Sequence, residues 1–191
     1  MVEQNQDVPS IERSIATGAI GFGVVSLVVF ATVAFGERWM YQTLGFRGAY
    51  LTWTVLFIVL SGAVFGSLVV GRWRLPKFFL LFGLAFFAYA AGWVLAYFTL
   101  PNSAGEWLGS LAGSVLMALV FAVGFGSLRS TVKLSAVLLA SHSVGYFLGS
   151  ALNNFFGDRA GMLLWGVAYG LFFGAGIGAA LQMVQQRRET G

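Results

Sequence analysis

Residues 161–186 read GMLLWGVAYGLFFGAGIGAALQMVQQ, a run without Asp, Glu, Lys, Arg or His. A helix rises about 1.5 Å per residue, so a run of this length covers a hydrocarbon core of ~30 Å. A strand of a membrane barrel would be only ~9–11 residues long and would alternate in polarity, and this stretch does not. It reads as a membrane-spanning helix. Five further runs lie upstream, at about 14–36, 48–71, 78–100, 107–128 and 134–156, and none contains Asp, Glu, Lys or Arg. The fold class expected is therefore an all-α integral membrane protein, a six-transmembrane-helix bundle. The links are short, which pairs sequential helices as three antiparallel hairpins.

Composition agrees. The chain is 58% hydrophobic and 9% charged, whereas soluble domains carry roughly 25% charged residues. Residues 1–13 form a short leading segment and 187–191 a short tail, with one membrane domain over 14–186. The leading segment holds Glu3, Asp7 and Glu12 against Arg13. It lacks the basic head of a cleaved signal, so the first helix is read as retained. Cysteine is absent, which excludes disulfides, thiolate metal sites and a thiol nucleophile. The net charge of +4 belongs to membrane orientation rather than to nucleic acid, because its basic residues border the spans.

Six spans put both termini on one side. That side holds Arg13, Arg72, Arg74, Lys77, Arg129, Lys133, Arg187 and Arg188, and the other only Arg38, Arg47 and Arg159. The positive-inside rule then makes both termini cytoplasmic, in a plasma or inner membrane. Trp39, Tyr41 and Phe46 in a first outer loop (37–47), the one link with room for a short interfacial helix, and Trp73 at an inner boundary fit the interfacial aromatic belt. Pro76 suits the first turn of the third span and Pro101 closes it. Ser103-Ala104-Gly105-Glu106 reads as a capping box for the fourth span. Gly157 followed by Asp158 reads as a helix stop and then an N-cap.

Glycine is abundant and ordered. Gly166, Gly170, Gly174 and Gly178 recur every fourth residue along the last span, with Gly176 beside them. Lipid offers no hydrophobic drive between helices, so such small-residue stripes mark close helix packing. The stripe can serve packing within one subunit, a homo-oligomer or membrane-protein partner docked on the sixth span, or a glycine-lined conduit. Phe65-Gly66-Ser67-Leu68 recurs as Phe125-Gly126-Ser127-Leu128, which suggests repeated hairpins and is a pattern common among transporters.

Ionisable groups within a membrane usually mark solute or ion paths. Here there is one, His142, flanked by Ser141 and Ser143. Tyr146 follows one turn later, placed to reach the imidazole, and Tyr89 lies at similar depth in the third span. His142, Ser141, Tyr146 and Tyr89 are thus the candidate polar station, and the alternative is a satisfied histidine joining two helices. Asn153 and Asn154 either line a vestibule or cap the fifth span, and Gln182 is equally open. Paired carboxylates, a zinc-binding histidine set and a Ser–His–Asp arrangement are lacking, so neither catalysis nor a cofactor or metal is expected. Two classes remain: a small facilitator or channel for a small, neutral or weakly polar solute, or a non-catalytic subunit of a membrane complex. A cavity reaching His142 separates the first from the second.

Overall fold

The computed structural model describes residues 8–70, 74–100 and 102–189, the side chains of 74 and 187–189 excepted. Glu3, Asp7, Arg72, Trp73 and Pro101, with the side chains of Arg74, Arg187 and Arg188, lie outside the described residues. Five helices account for nearly all of the rest: α1 (Ile11–Phe65), α2 (Arg74–Thr99), α3 (Ser103–Gly124), α4 (Thr131–Phe156) and α5 (Asp158–Glu189). All five are long and apolar enough to cross a membrane. Their outer faces carry exposed aliphatic side chains such as Ile20, Leu80, Leu95 and Val132, as a lipid solvent requires.

Five helices replace the six expected. The outer loop drawn over 37–47 is helical except at Gly45, whose φ of 67° and ψ of 175° lie outside the helical region. That combination is open essentially to glycine alone. It lets α1 reverse direction at one residue, so the charges at Glu37, Arg38 and Arg47 sit on helix ends rather than in a loop. The two arms then run antiparallel. Phe22 packs on Phe57 and Phe65 at centroid distances of 5.5 and 5.7 Å, and Tyr41 meets Trp53 at 5.8 Å.

The link between α4 and α5 uses the same device. Gly157 has φ 65° and ψ 178°, and its N–H bonds the Asn153 carbonyl at 2.8 Å. The glycine stop is as read, but Asp158 is the first residue of α5, with a φ of 45°. Gly45 and Gly157 thus share one backbone conformation, although Asp158 after the second takes a positive φ and Phe46 after the first does not. A tryptophan stands eight positions after each glycine, Trp53 and Trp165. The middle hairpin, α2 with α3, turns differently. Asn102, not Ser103, caps α3 through its side-chain oxygen, which accepts from the N–H groups of Ala104 (2.9 Å) and Gly105 (3.3 Å). An asparagine fills this role as well as a serine does. The two Phe-Gly-Ser-Leu copies are not equivalent either. Gly66 ends α1 at φ −59°, whereas Gly126 takes φ 70° and leads into the short 3-10 turn Leu128–Ser130.

The glycine stripe of α5 lies against the first arm of α1. A Cβ added at Gly166 would strike Phe30, at Gly170 Ser26 and Gly23, at Gly174 Gly18, and at Gly178 Ser14. The stripe face is therefore already occupied within one chain. Gln185, near the end of α5, ties down the segment after α1. Its Oε1 accepts from the Val70 N–H and its Nε2 donates to the Leu68 carbonyl, both at 3.0 Å.

Candidate functional site

His142 sits at the centre of α4 and is fully buried. Four helices meet around it. Nε2 lies 2.9 Å from the Ser110 hydroxyl of α3, and Nδ1 lies 2.9 Å from the Tyr89 hydroxyl of α2. The Tyr89 hydroxyl is 3.1 Å from that of Tyr169 on α5. Ser110 itself donates to the Glu106 carbonyl, one turn back, at 2.8 Å.

The network allows two placements of the protons in this chain. A serine hydroxyl has one proton, and that of Ser110 can go to the Glu106 carbonyl. With the proton so placed, Nε2 donates to the serine oxygen and Nδ1 accepts from the Tyr89 O–H. The opposite tautomer, with Ser110 donating to Nε2 and Nδ1 donating to Tyr89, fits the same distances. In the first of these arrangements the Tyr89 oxygen accepts from Tyr169, and every proton in the row points from α5 towards α3.

Tyr146 does not bond the imidazole as the one-turn spacing suggests. Its ring stacks on His142 at 5.6 Å and 24°, and its hydroxyl donates to the Glu106 carboxylate at 3.2 Å. Ser141 turns away, donating to the Leu138 carbonyl at 3.1 Å. A Cβ at Gly176 would collide with its hydroxyl. The structure thus joins His142, Tyr89 and Tyr146 and leaves Ser141 out. Ser110, Glu106 and Tyr169 join them, and sequence reasoning missed all three.

Beside this network lies a cavity of about 320 Å³ between the two glycine-turned hairpins and α2. Its wall includes Trp53 and Trp165, the paired tryptophans of the two hairpins, with Trp93, Tyr89, Tyr146 and Tyr169. Glu37 stands on its margin and also lines a second, wider hollow of about 720 Å³ with Asn153, Asp158 and Arg159. The two spaces share Val33, Glu37 and Met162, so the wider one forms a vestibule at the end of the bundle where the glycine turns lie. Asn153 lines this vestibule while its backbone carbonyl receives Gly157.

The cavity stops short of His142, which is not among its lining residues. Tyr89, Tyr146 and Tyr169 stand between. Towards the opposite end, Phe22, Phe57, Phe86 and Phe82 pack ring against ring at 5.3–5.7 Å, and Phe22 and Phe82 are fully buried. Packed phenylalanines thus form a plug at this end of the space. No group of three or more metal-ligating side chains occurs among the described residues.

No protein-family model matches the chain, and neither a curated protein nor a solved structure is detectably similar to it.

Proposed function

We propose that this chain is a multi-pass membrane protein that admits a small solute from one side into the aromatic cavity and acts as a facilitator for it. The observation that carries this reading is an aromatic-lined space of ~320 Å³ that shares Val33, Glu37 and Met162 with a wider polar hollow. Pockets of ~300–1,000 Å³ lined mainly by aromatic groups with a few polar atoms are the usual form of small-molecule sites. The phenylalanine plug makes the described state closed at the other end, so passage requires a second conformation rather than an open pore.

The reversal of α1 at Gly45 supports an orientation. Both ends of the chain then share a side with Arg129 and Lys133, and the vestibule, with Glu37, Asp158 and Arg159, faces the other. Positive-inside bias places the termini in the cytoplasm and the vestibule outside.

Because the chain has no cysteine, access is testable by single replacements. Ala90 lines the cavity, and Ala118 is fully buried in α3. Ala90→Cys should react with a small water-soluble methanethiosulfonate reagent while Ala118→Cys stays inert. Equal inertness of the two would remove the cavity as a solute site.

A second reading, a non-catalytic subunit, has its own support, since a cavity reaching His142 is the feature expected to mark a facilitator and this cavity does not reach it. His142 has no exposure and is clamped by side chains from α2 and α3, which is how a structural histidine in a non-catalytic subunit would sit. On that reading Ala90→Cys is unreactive and the protein purifies with a membrane partner.

A further inference from the structure

The cavity's chemistry goes further than its volume, and this inference rests on the solute-binding reading above. We infer that the preferred occupant is a small organic cation of the alkylammonium type, not the neutral solute expected from sequence. Three observations converge on it.

The first is charge. Among the described residues Glu37 is the only formally charged side chain on the cavity wall, and Lys, Arg and His are absent from it. In the vestibule Asp158 adds a second carboxylate. The one cation there, Arg159, lies over the Phe35 ring at 5.0 Å.

The second is the wall. Aromatic faces attract cations through the ring quadrupole, and indole does so most strongly. Three tryptophans line this one space, and two of them are set by glycine. A Cβ at Gly109 would crowd the Trp93 ring edge, and one at Gly149 would strike that of Trp165. The indole N–H groups of Trp53, Trp93 and Trp165 are buried without a partner, so no indole donor is accessible to an occupant.

The third is proton direction. In the first proton arrangement the row Tyr169, Tyr89, His142, Ser110 sends every proton away from α5. The Tyr146 proton goes to Glu106. With Ser110 donating to the Glu106 carbonyl, Tyr89, Tyr146 and Tyr169, which form the floor, present oxygen lone pairs and π density with no free donor. An anion would find no formally positive group on the wall among the described residues. An ammonium finds acceptors and rings.

The test uses two probes of one shape: benzyltrimethylammonium and its uncharged isostere neopentylbenzene, titrated against tryptophan fluorescence of the purified full-length protein in lipid nanodiscs. The cation should bind saturably and about tenfold or more tighter than the isostere, since a desolvated cation–π contact is worth up to ~2 kcal/mol. Glu37→Gln changes an exposed side chain, so the fold is expected to survive. It should weaken the cation about two- to fivefold and leave the isostere unchanged, as for a solvated charge. Equal or tighter binding of the isostere, or of benzoate, overturns the cation inference and leaves the solute-site reading standing. Saturable binding of none of the three overturns both.

Discussion

At the residue scale, His142 is held by two neutral hydrogen bonds that each cross to another helix. Replacing it with Ala would leave the Tyr89 and Ser110 hydroxyls facing a cavity with neither bond made. A buried unsatisfied group costs about 1–3 kcal/mol, so His142→Ala should lower the thermal midpoint in detergent by several degrees. His142→Asn, which can still span part of the gap, should lose less. An unchanged midpoint in the Ala variant would mean that the network contributes nothing to the fold. His142, Tyr89 and Tyr146 were legible from sequence because they are polar groups at mid-span in an apolar chain. Their partners were not. Ser110 and Tyr169 come from helices 32 residues before His142 and 80 residues after Tyr89, and helical periodicity says which face a residue occupies, not which helix it meets. Ser141 failed for the converse reason: adjacency in sequence puts it ~100° from His142 around the helix.

At the element scale, the decisive residues are two glycines that turn helices in place of loops. Gly45 and Gly157 have open space where a Cβ would stand, so the backbone dihedrals, not crowding, forbid a side chain. Gly45→Ala and Gly157→Ala should each destabilise by about 1–3 kcal/mol. Gly36 also has nothing near its Cβ position but lies in regular helix. Gly36→Ala should be neutral or stabilising by up to ~1 kcal/mol. Thermal unfolding of the three variants separates the cases, and equal effects at all three positions would refute the turn geometry. The apolar runs were readable because lipid allows only helices of that length. The count was not, since a sequence with charges at 37, 38 and 47 looks like a loop whether or not the chain pauses there. The recurrence of Gly-x-Arg with a tryptophan eight residues past the glycine was available as a signal. The Phe-Gly-Ser-Leu match carries no such information, because its two glycines adopt different backbones.

At the scale of the molecule, the α5 stripe against α1 and the Gln185 clamp fasten the first and last helices together, and the cavity opens between the hairpins they belong to. Gln185→Leu removes three hydrogen bonds made by one side chain, to Val70, Leu68 and Leu181. At about 1 kcal/mol per bond, it should destabilise by ~2–3 kcal/mol and expose the segment after α1 to limited proteolysis. A wild-type digestion pattern would contradict the clamp. The functional proposals depend on a larger feature, the placement of the vestibule on the membrane face opposite the chain ends. The most direct measurement is labelling of single cysteines in intact cells by a membrane-impermeant maleimide, placed at Ser10, Gln42 and Lys133, all exposed in the structure. The account predicts that Gln42→Cys labels from outside, whereas Ser10→Cys and Lys133→Cys label only after permeabilisation. Labelling of Ser10→Cys and Gln42→Cys from the same side would contradict it.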